Sequence, residues 1–488
     1  MTLSRPFRSI LTAFAASALV ACGDDNSHGD DDVDAAPDVD AAPEIDAGID
    51  APPFVVPTPV AVTLSATGPD QLMSAVAVPG GTGYYAAGFA AATAAGDRIV
   101  TVAKLTAAGA LDTTWAGGDG IAPTTLVFAG SSDEIDLALQ PDGKIIVTAT
   151  VASGTAGDRD IAVTRLNSDG TVDNTFGGNN DGVRVLDLTT GSVFTGGTAN
   201  HDRPRGLAID ATGRIFIHAV VRRMTPGAPP TPEADTDFAV VRLTSAGALD
   251  TTYGGGDGYF ALDILNSFAT PRGVHVQADG KVIAGGYANS TATNSVQAVL
   301  FRVNADGAAL DTTFATQGLF HEVVLQIQTE IYGFAVHATH LVTAGYGRNT
   351  GDSNDWVSMR FALADGARDT TFGGAANGAV VVDPSGMMLG DNCRTAVALP
   401  GGRTLLLGSS GSGVPAQDAA FVVLTATGQL DTGFGDGSHV FPFGSNRGDQ
   451  LWAGAVNGQS ALLVGWSGVA TQSDAENDDS FAVILPLP

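Results

Sequence analysis

The chain has 488 residues, enough for several ordinary domains or for one large repeat array. Its 63 glycines and its low charged content of 15% argue for short strands and tight turns and against long helices. A formal charge of −29 excludes a nucleic-acid partner, because such a surface repels phosphates; it suits cations or simply solubility.

Residues 1–21 read as a signal peptide. Arg5 and Arg8 precede the apolar run Ile10 to Val20, which is shorter than the ~20 residues of a membrane-spanning helix. Leu19-Val20-Ala21-Cys22 resembles a bacterial lipobox. That resemblance implies cleavage before Cys22, a thioether-linked diacylglyceryl group on its sulfur and an acylated new N-terminus. Two or three acyl chains anchor a protein firmly. Glycine rather than aspartate follows Cys22, and by the enteric sorting rule this points to the outer membrane, on its periplasmic or its surface face. The alternative is ordinary secretory cleavage that leaves a free Cys22.

Residues 22–56 follow as a tether. Between Cys22 and Phe54 stand eleven acidic and no basic residues, in units such as "DVDAAP". Such a segment cannot build a core and repels itself, so it is expected to be disordered, with a reach on the order of 100 Å.

Residues 57–488 hold a repeat. One phrase occurs six times: "GALDTTWAGGDG", "GTVDNTFGGNNDG", "GALDTTYGGGDG", "AALDTTFATQG", "GARDTTFGGAANG" and "GQLDTGFGDG". Around it run four short apolar segments per copy, A to D, separated by turn signals such as Asp142-Gly143 and Asp279-Gly280. Segments A, B and C each occur seven times. Segment D follows each phrase, and "VAVTLS", Val60 to Ser65, stands ready as the missing seventh D. This pattern predicts an all-β fold, a seven-bladed β-propeller of four-stranded blades closed by an N-terminal strand. Within the phrase, the aspartate suits an Asx turn and the aromatic a plug between blades.

The run Asp142 to Gly177, "DGKIIVTA…IAVTRLNSDGTVDNTFG", resembles the delta-60 repeat of secreted bacterial proteins. The resemblance implies a propeller and brings no common catalytic activity with it.

Catalytic signatures are weak. His337 and His340 lie in an expected turn, no Gly-x-Ser-x-Gly elbow precedes a helix, and Cys393 reads as a buried residue. Asp70, Asp133, Asp202, Asp391 and Asp449 each lie just before an A segment, with Glu330 in the corresponding place of another copy. Their expected arrangement is either an acidic ring at one mouth of the channel, suited to a hard cation such as calcium, or a set of local turn hydrogen bonds. Asp119, Asp181, Asp257 and Asp436 read as turn residues, Arg447 to Asp449 as a chance Arg-Gly-Asp, and Arg222 to Thr236 as an inserted loop. The resulting expectation is a monomeric, non-enzymatic envelope lipoprotein without a required cofactor. Its propeller binds an envelope protein or a polysaccharide. The alternative is an enzyme on an extracellular polymer, or a calcium-dependent adhesion module, using carboxylates at the channel mouth.

Overall fold

The computed structural model describes residues 54–488, apart from 94, 131–133, 154–157, 189–201, 223, 226–230, 233–234, 291–294, 375–376, 412–416, 442–446 and 470–478. The signal peptide, Cys22, the tether up to residue 53 and Asp133 lie outside the described residues. Those described are all-β, with helix confined to short 3-10 turns.

Four-stranded antiparallel sets repeat along the chain in the order A–B–C–D. The A strands are Asp70–Ala77, Asp136–Leu139, Arg203–Ile209, Ala269–Val276, Gly333–Val336, Asn392–Ala398 and Arg447–Asn457. Five sets form separate sheets. The sets that begin at Ala269 and Gly333 are joined into one nine-stranded sheet by the short strand Gln328–Thr329. In the last set the fourth place is taken by Val60–Ala61, which pairs with Ala482 and Phe481 of the C strand Asp479–Pro486.

Burial follows from this stacking. B and C strands are covered on both faces, so Ile215–Val221 and Asp237–Leu243 are buried at every position rather than at alternate ones. D strands lie at the sheet edge, and Ile121–Val127 alternates between buried and more exposed positions. Each apolar cluster bridges neighbouring sets. One joins Leu72, Tyr84 and Ala103 of the first set to Leu462, Val464 and Ala482 of the last, with Val62 between them. The A strands pack on one another in succession, and Arg447–Asn457 packs back against Asp70–Ala77.

The repeated phrase is the fastening between sets. One oxygen of Asp173 accepts the Thr175 N–H (3.0 Å) and hydroxyl (2.7 Å), the expected Asx geometry. Its other oxygen binds Arg165 Nε at 2.9 Å and Lys144 Nζ at 2.5 Å. The Arg165 guanidinium lies over the Phe176 ring, 4.8 Å from its centre, and donates to the Ser245 carbonyl of the next set at 2.8 Å. Arg242, Asp250 and Tyr253 repeat this arrangement, as do Arg302, Asp311 and Phe314. The sixth C strand carries no such arginine, and Arg403 from the B side reaches Asp431 and Phe434 instead. The aromatic is a plug, as its spacing suggests: Phe176 lies against Gly247 of the next phrase, Tyr253 against Gly307 and Phe314 against Gly366. Phe434 has no following phrase to meet, and Phe54 packs on it edge to face, ring centres 5.6 Å apart.

Candidate functional site

Five A strands carry a β-bulge, seen as register shifts between Leu72 and Ser74, Pro204 and Gly206, Pro271 and Val274, Cys393 and Thr395, and Leu451 and Ala453. A bulge re-aims the extra residue. The extra residues are Met73, Arg205, Arg272 with Gly273, Arg394 and Trp452, and all except Arg272 line one cavity of about 210 Å³. Asp136 and Tyr332, at the heads of the two remaining A strands, line it too, together with Glu134. The bulge brings A close to B, so that B carries glycine there. A Cβ on Gly88 would sit 1.7 Å from the Gln71 carbonyl oxygen, and one on Gly465 1.9 Å from that of Gln450.

Charge and aromatic faces meet in this cavity and in the layer behind it, to which Arg272, Tyr287 and Tyr346 belong. Arg272 is buried, pairs with Glu134, and lies 4.1 Å from the centre of the Tyr332 ring. Arg205 approaches Glu134 at 3.9 Å. The Tyr287, Tyr332 and Tyr346 hydroxyls form a chain with spacings of 3.2 and 3.0 Å. Burial, and then the negative charge of Glu134, push the Asp136 carboxyl up to about 7, against the pull of Arg205 and Arg272. Arg394 lies between two ring faces, 5.2 Å from the centre of Tyr332 and 4.8 Å from that of Trp452. No acidic side chain among the described residues pairs with it, and its Nε is buried without a partner. Two arginines, Arg205 and Arg394, and two acids, Glu134 and Asp136, thus line the cavity, and Arg394 is the cation there that no described acid pairs.

The five described acids among those singled out in the sequence lie elsewhere. Asp70 accepts the Leu64 and Ser65 N–H groups with one oxygen and that of Ser480 with the other (3.1, 2.9 and 2.8 Å), tying the N-terminal segment to the last C strand. Asp391 binds the Ser410 hydroxyl and the Gly411 N–H at 2.9 and 2.8 Å, and burial pushes its carboxyl up to about 7. Asp202 accepts the Leu188 N–H at 2.7 Å. Asp449, the third residue of Arg447 to Asp449, is wholly buried at the head of an A strand. Glu330 is not in register with these: its carbonyl faces Gly345 as that of Gln71 faces Gly88, one residue further on. It accepts Gln328 Nε2 at 2.5 Å, and burial raises its carboxyl above the ordinary value. None of the five described residues lines the cavity. Of these five, only Asp202 falls in a three-carboxylate group, with Asp160 and Asp187.

The other candidates have local partners. Asp119 and Asp181 accept the N–H groups of Ile121 and Val183, as turn residues do. His337 and His340 stack at 4.7 Å, and His337 bonds the Thr404 hydroxyl. Cys393 is buried, and burial pushes its thiol well above the ordinary range. The cavity residues escaped the sequence reading because each A strand supplies only one to three. The glycine that recurs in B segments, in "YAAGFA", "LLLGSS" and "LLVGWS", was the available signal of a bulge opposite it.

Comparison with known proteins bears on the fold. A family described as "Domain of unknown function (DUF5122) beta-propeller" matches residues 140–176 and 277–314. Each match runs from the turn after an A strand to the aromatic of the phrase. No curated protein sequence matches the chain. Among solved structures, the β-propeller domain of the Trilobed protease from Pyrococcus furiosus is 9% identical over 86% of this chain and 96% of that one, with a TM-score of 0.40. An α-L-arabinanase of Penicillium chrysogenum, complexed with arabinobiose, is 13% identical over 74% and 97%, with a TM-score of 0.42. A Trypanosoma rangeli sialidase is 7% identical over 88% and 57%, with a TM-score of 0.39. From its four-stranded antiparallel sheets and the two family matches, the chain is a protein of the β-propeller type.

Proposed function

We propose that this chain is a lipid-anchored protein of the bacterial cell envelope, of the delta-60 repeat kind, whose seven-bladed propeller is shut by the N-terminal strand and acts as a binding module. Its central cavity takes an anionic group, such as the carboxylate of a uronic acid at the end of an envelope polysaccharide. The observation that carries this reading is Arg394, held between Tyr332 and Trp452 with no acidic side chain among the described residues paired to it. A guanidinium so placed offers a planar fork that fits a carboxylate, and the rings offer a face for the body of the ligand. The cavity is smaller than the ~300–1,000 Å³ of drug-sized sites, which favours a single terminal group over a polymer lying across it.

Titration calorimetry of the full chain with glucuronate and with glucose tests this. Glucuronate is expected to bind and glucose not. Arg394→Ala is expected to abolish binding, and Arg394→Lys to weaken it by about tenfold or more, because lysine lacks the fork. Glucuronate binding that survives Arg394→Ala, or no binding by the native chain, would reject the reading.

A second reading, hydrolysis of an extracellular polymer, draws on Asp136. A carboxyl with a value of about 7 beside a carboxylate paired to arginines resembles an acid–base pair. Release of reducing ends from an acidic polysaccharide, lost in Asp136→Asn, would favour it over binding alone.

A further inference from the structure

We propose that Asp160, Asp187 and Asp202 form a divalent-cation site, of calcium size, at the join between the second and third sheets. Asp160 is the second residue of the C strand Arg159–Leu166, Asp187 follows the D strand Val183–Leu186, and Asp202 precedes the next A strand. One carboxylate oxygen from each lies within 4.8 Å of the other two. Oxygens all held at the 2.3–2.6 Å typical of calcium can be at most about 5 Å apart, so one ion can touch all three. Magnesium at 2.0–2.1 Å asks for a tighter set.

The second observation is Asp160 itself. It is 8% exposed, and its Oδ1 is buried with no hydrogen-bond partner. The groups acting on it are its own burial and the negative charges of Asp187 and Asp158, with no cation among them. A buried carboxylate turned toward two others and given no donor lacks its counter-charge.

The same three stations recur further along, and the contrast is informative. Asp355, Asp383 and Asp391 occupy them at the join between the fifth and sixth sets. There Asp391 has Ser410 and Gly411, and Asp383 collects the N–H groups of Ser385, Gly386 and Met388. There the protein supplies donors to both carboxylates, although Asp391 Oδ2 is still buried without a partner, whereas Asp160 receives none from the described residues.

Thermal unfolding of the full chain in millimolar calcium, in millimolar magnesium and with a chelator tests the proposal, with Asp160→Asn in parallel. The native chain is expected to gain several degrees with calcium and less with magnesium, since a ligand that binds only the folded state raises the midpoint. Asp160→Asn should melt at or above the chelated native chain, having lost a repulsion, and should not respond to calcium. This also separates the site from the acidic tether, which the variant keeps. Terbium bound to the native chain should luminesce and be displaced by calcium. Equal native midpoints in calcium and in chelator, or an undiminished calcium response in Asp160→Asn, would overturn the site. Neither outcome depends on Arg394.

Discussion

Arg302 shows what a single side chain does here. It neutralises Asp311, covers Phe314, and hydrogen-bonds the Leu363 and Ala364 carbonyls of the next set, while being 3% exposed. Removing one partner of a buried pair leaves the other charge unmatched, which costs about 3–5 kcal/mol. Arg302→Ala is expected to lose about that much in urea unfolding at pH 7. Although burial opposes it, the bonds from Lys281 and Thr313 and the charge of Arg302 hold Asp311 well below the carboxylate range. Its contribution is therefore present above the unfolded value of about 4 and is lost as pH falls through the folded value. The deficit of Arg302→Ala should shrink at pH 3. Asp391 has the opposite sign. Burial raises it to about 7, so the fold prefers its protonated form, and its stabilising effect fades as pH climbs from about 4 through 7. Asp391→Asn should accordingly melt close to the native chain at pH 5 and above it at pH 8. An equal gap at both values would show that Asp391 does not titrate in that window.

The elements were legible in the sequence to different degrees. B and C segments are apolar runs bounded by turn pairs, and they stand where their pattern puts them. The phrase was readable as Asx turn plus plug. Its arginine was not recognised, although "TRL", "VRL", "FRV" and "MRF" all carry it, because a cation inside an apolar strand has meaning only once the next set's carbonyls are in view. The A segments were the least legible. Their bulge shifts the register inside the strand, and the cavity they build joins residues from Met73 to Gly454 that no local pattern connects. Turn chemistry alone did not show why the phrase opens on glycine. Gly247 has φ +88°, and a Cβ there would stand 2.6 Å from the Phe176 ring; Gly143 has φ +84° with nothing within 4 Å. Gly143→Ala should therefore cost about 1 kcal/mol from backbone strain alone. Gly247→Ala adds overpacking worth about 1–3 kcal/mol. Equal costs for the two variants would mean that the plug does not need this close approach.

At the scale of the whole molecule, the first and last sets depend on a segment that comes before both. Val60 and Ala61 pair with the last C strand, Val62 donates to the Ser480 carbonyl at 2.9 Å, and Asp70 binds Leu64, Ser65 and Ser480. Phe54 fills the place beside Phe434 that a seventh phrase would otherwise supply. Without residues 54–66, the strand Asp479–Pro486 would present an open edge, a template for pairing with another chain. Asp70 would also lose two of the N–H groups that stabilise its buried charge. Two truncations separate the tether from this seam. A chain lacking residues 1–53 keeps every contact named above and should melt within about 2 °C of the chain carrying its tether. A chain lacking residues 1–66 loses the strand, the Phe54 seal and the Asp70 clasp together, a deficit of several kcal/mol that should lower the midpoint by about 5–10 °C. Its exposed edge should also make it associate, with a sedimentation coefficient that rises with concentration. If the shorter chain instead melts with the longer one and stays monomeric, the N-terminal strand is an accessory and the sheets hold together without it.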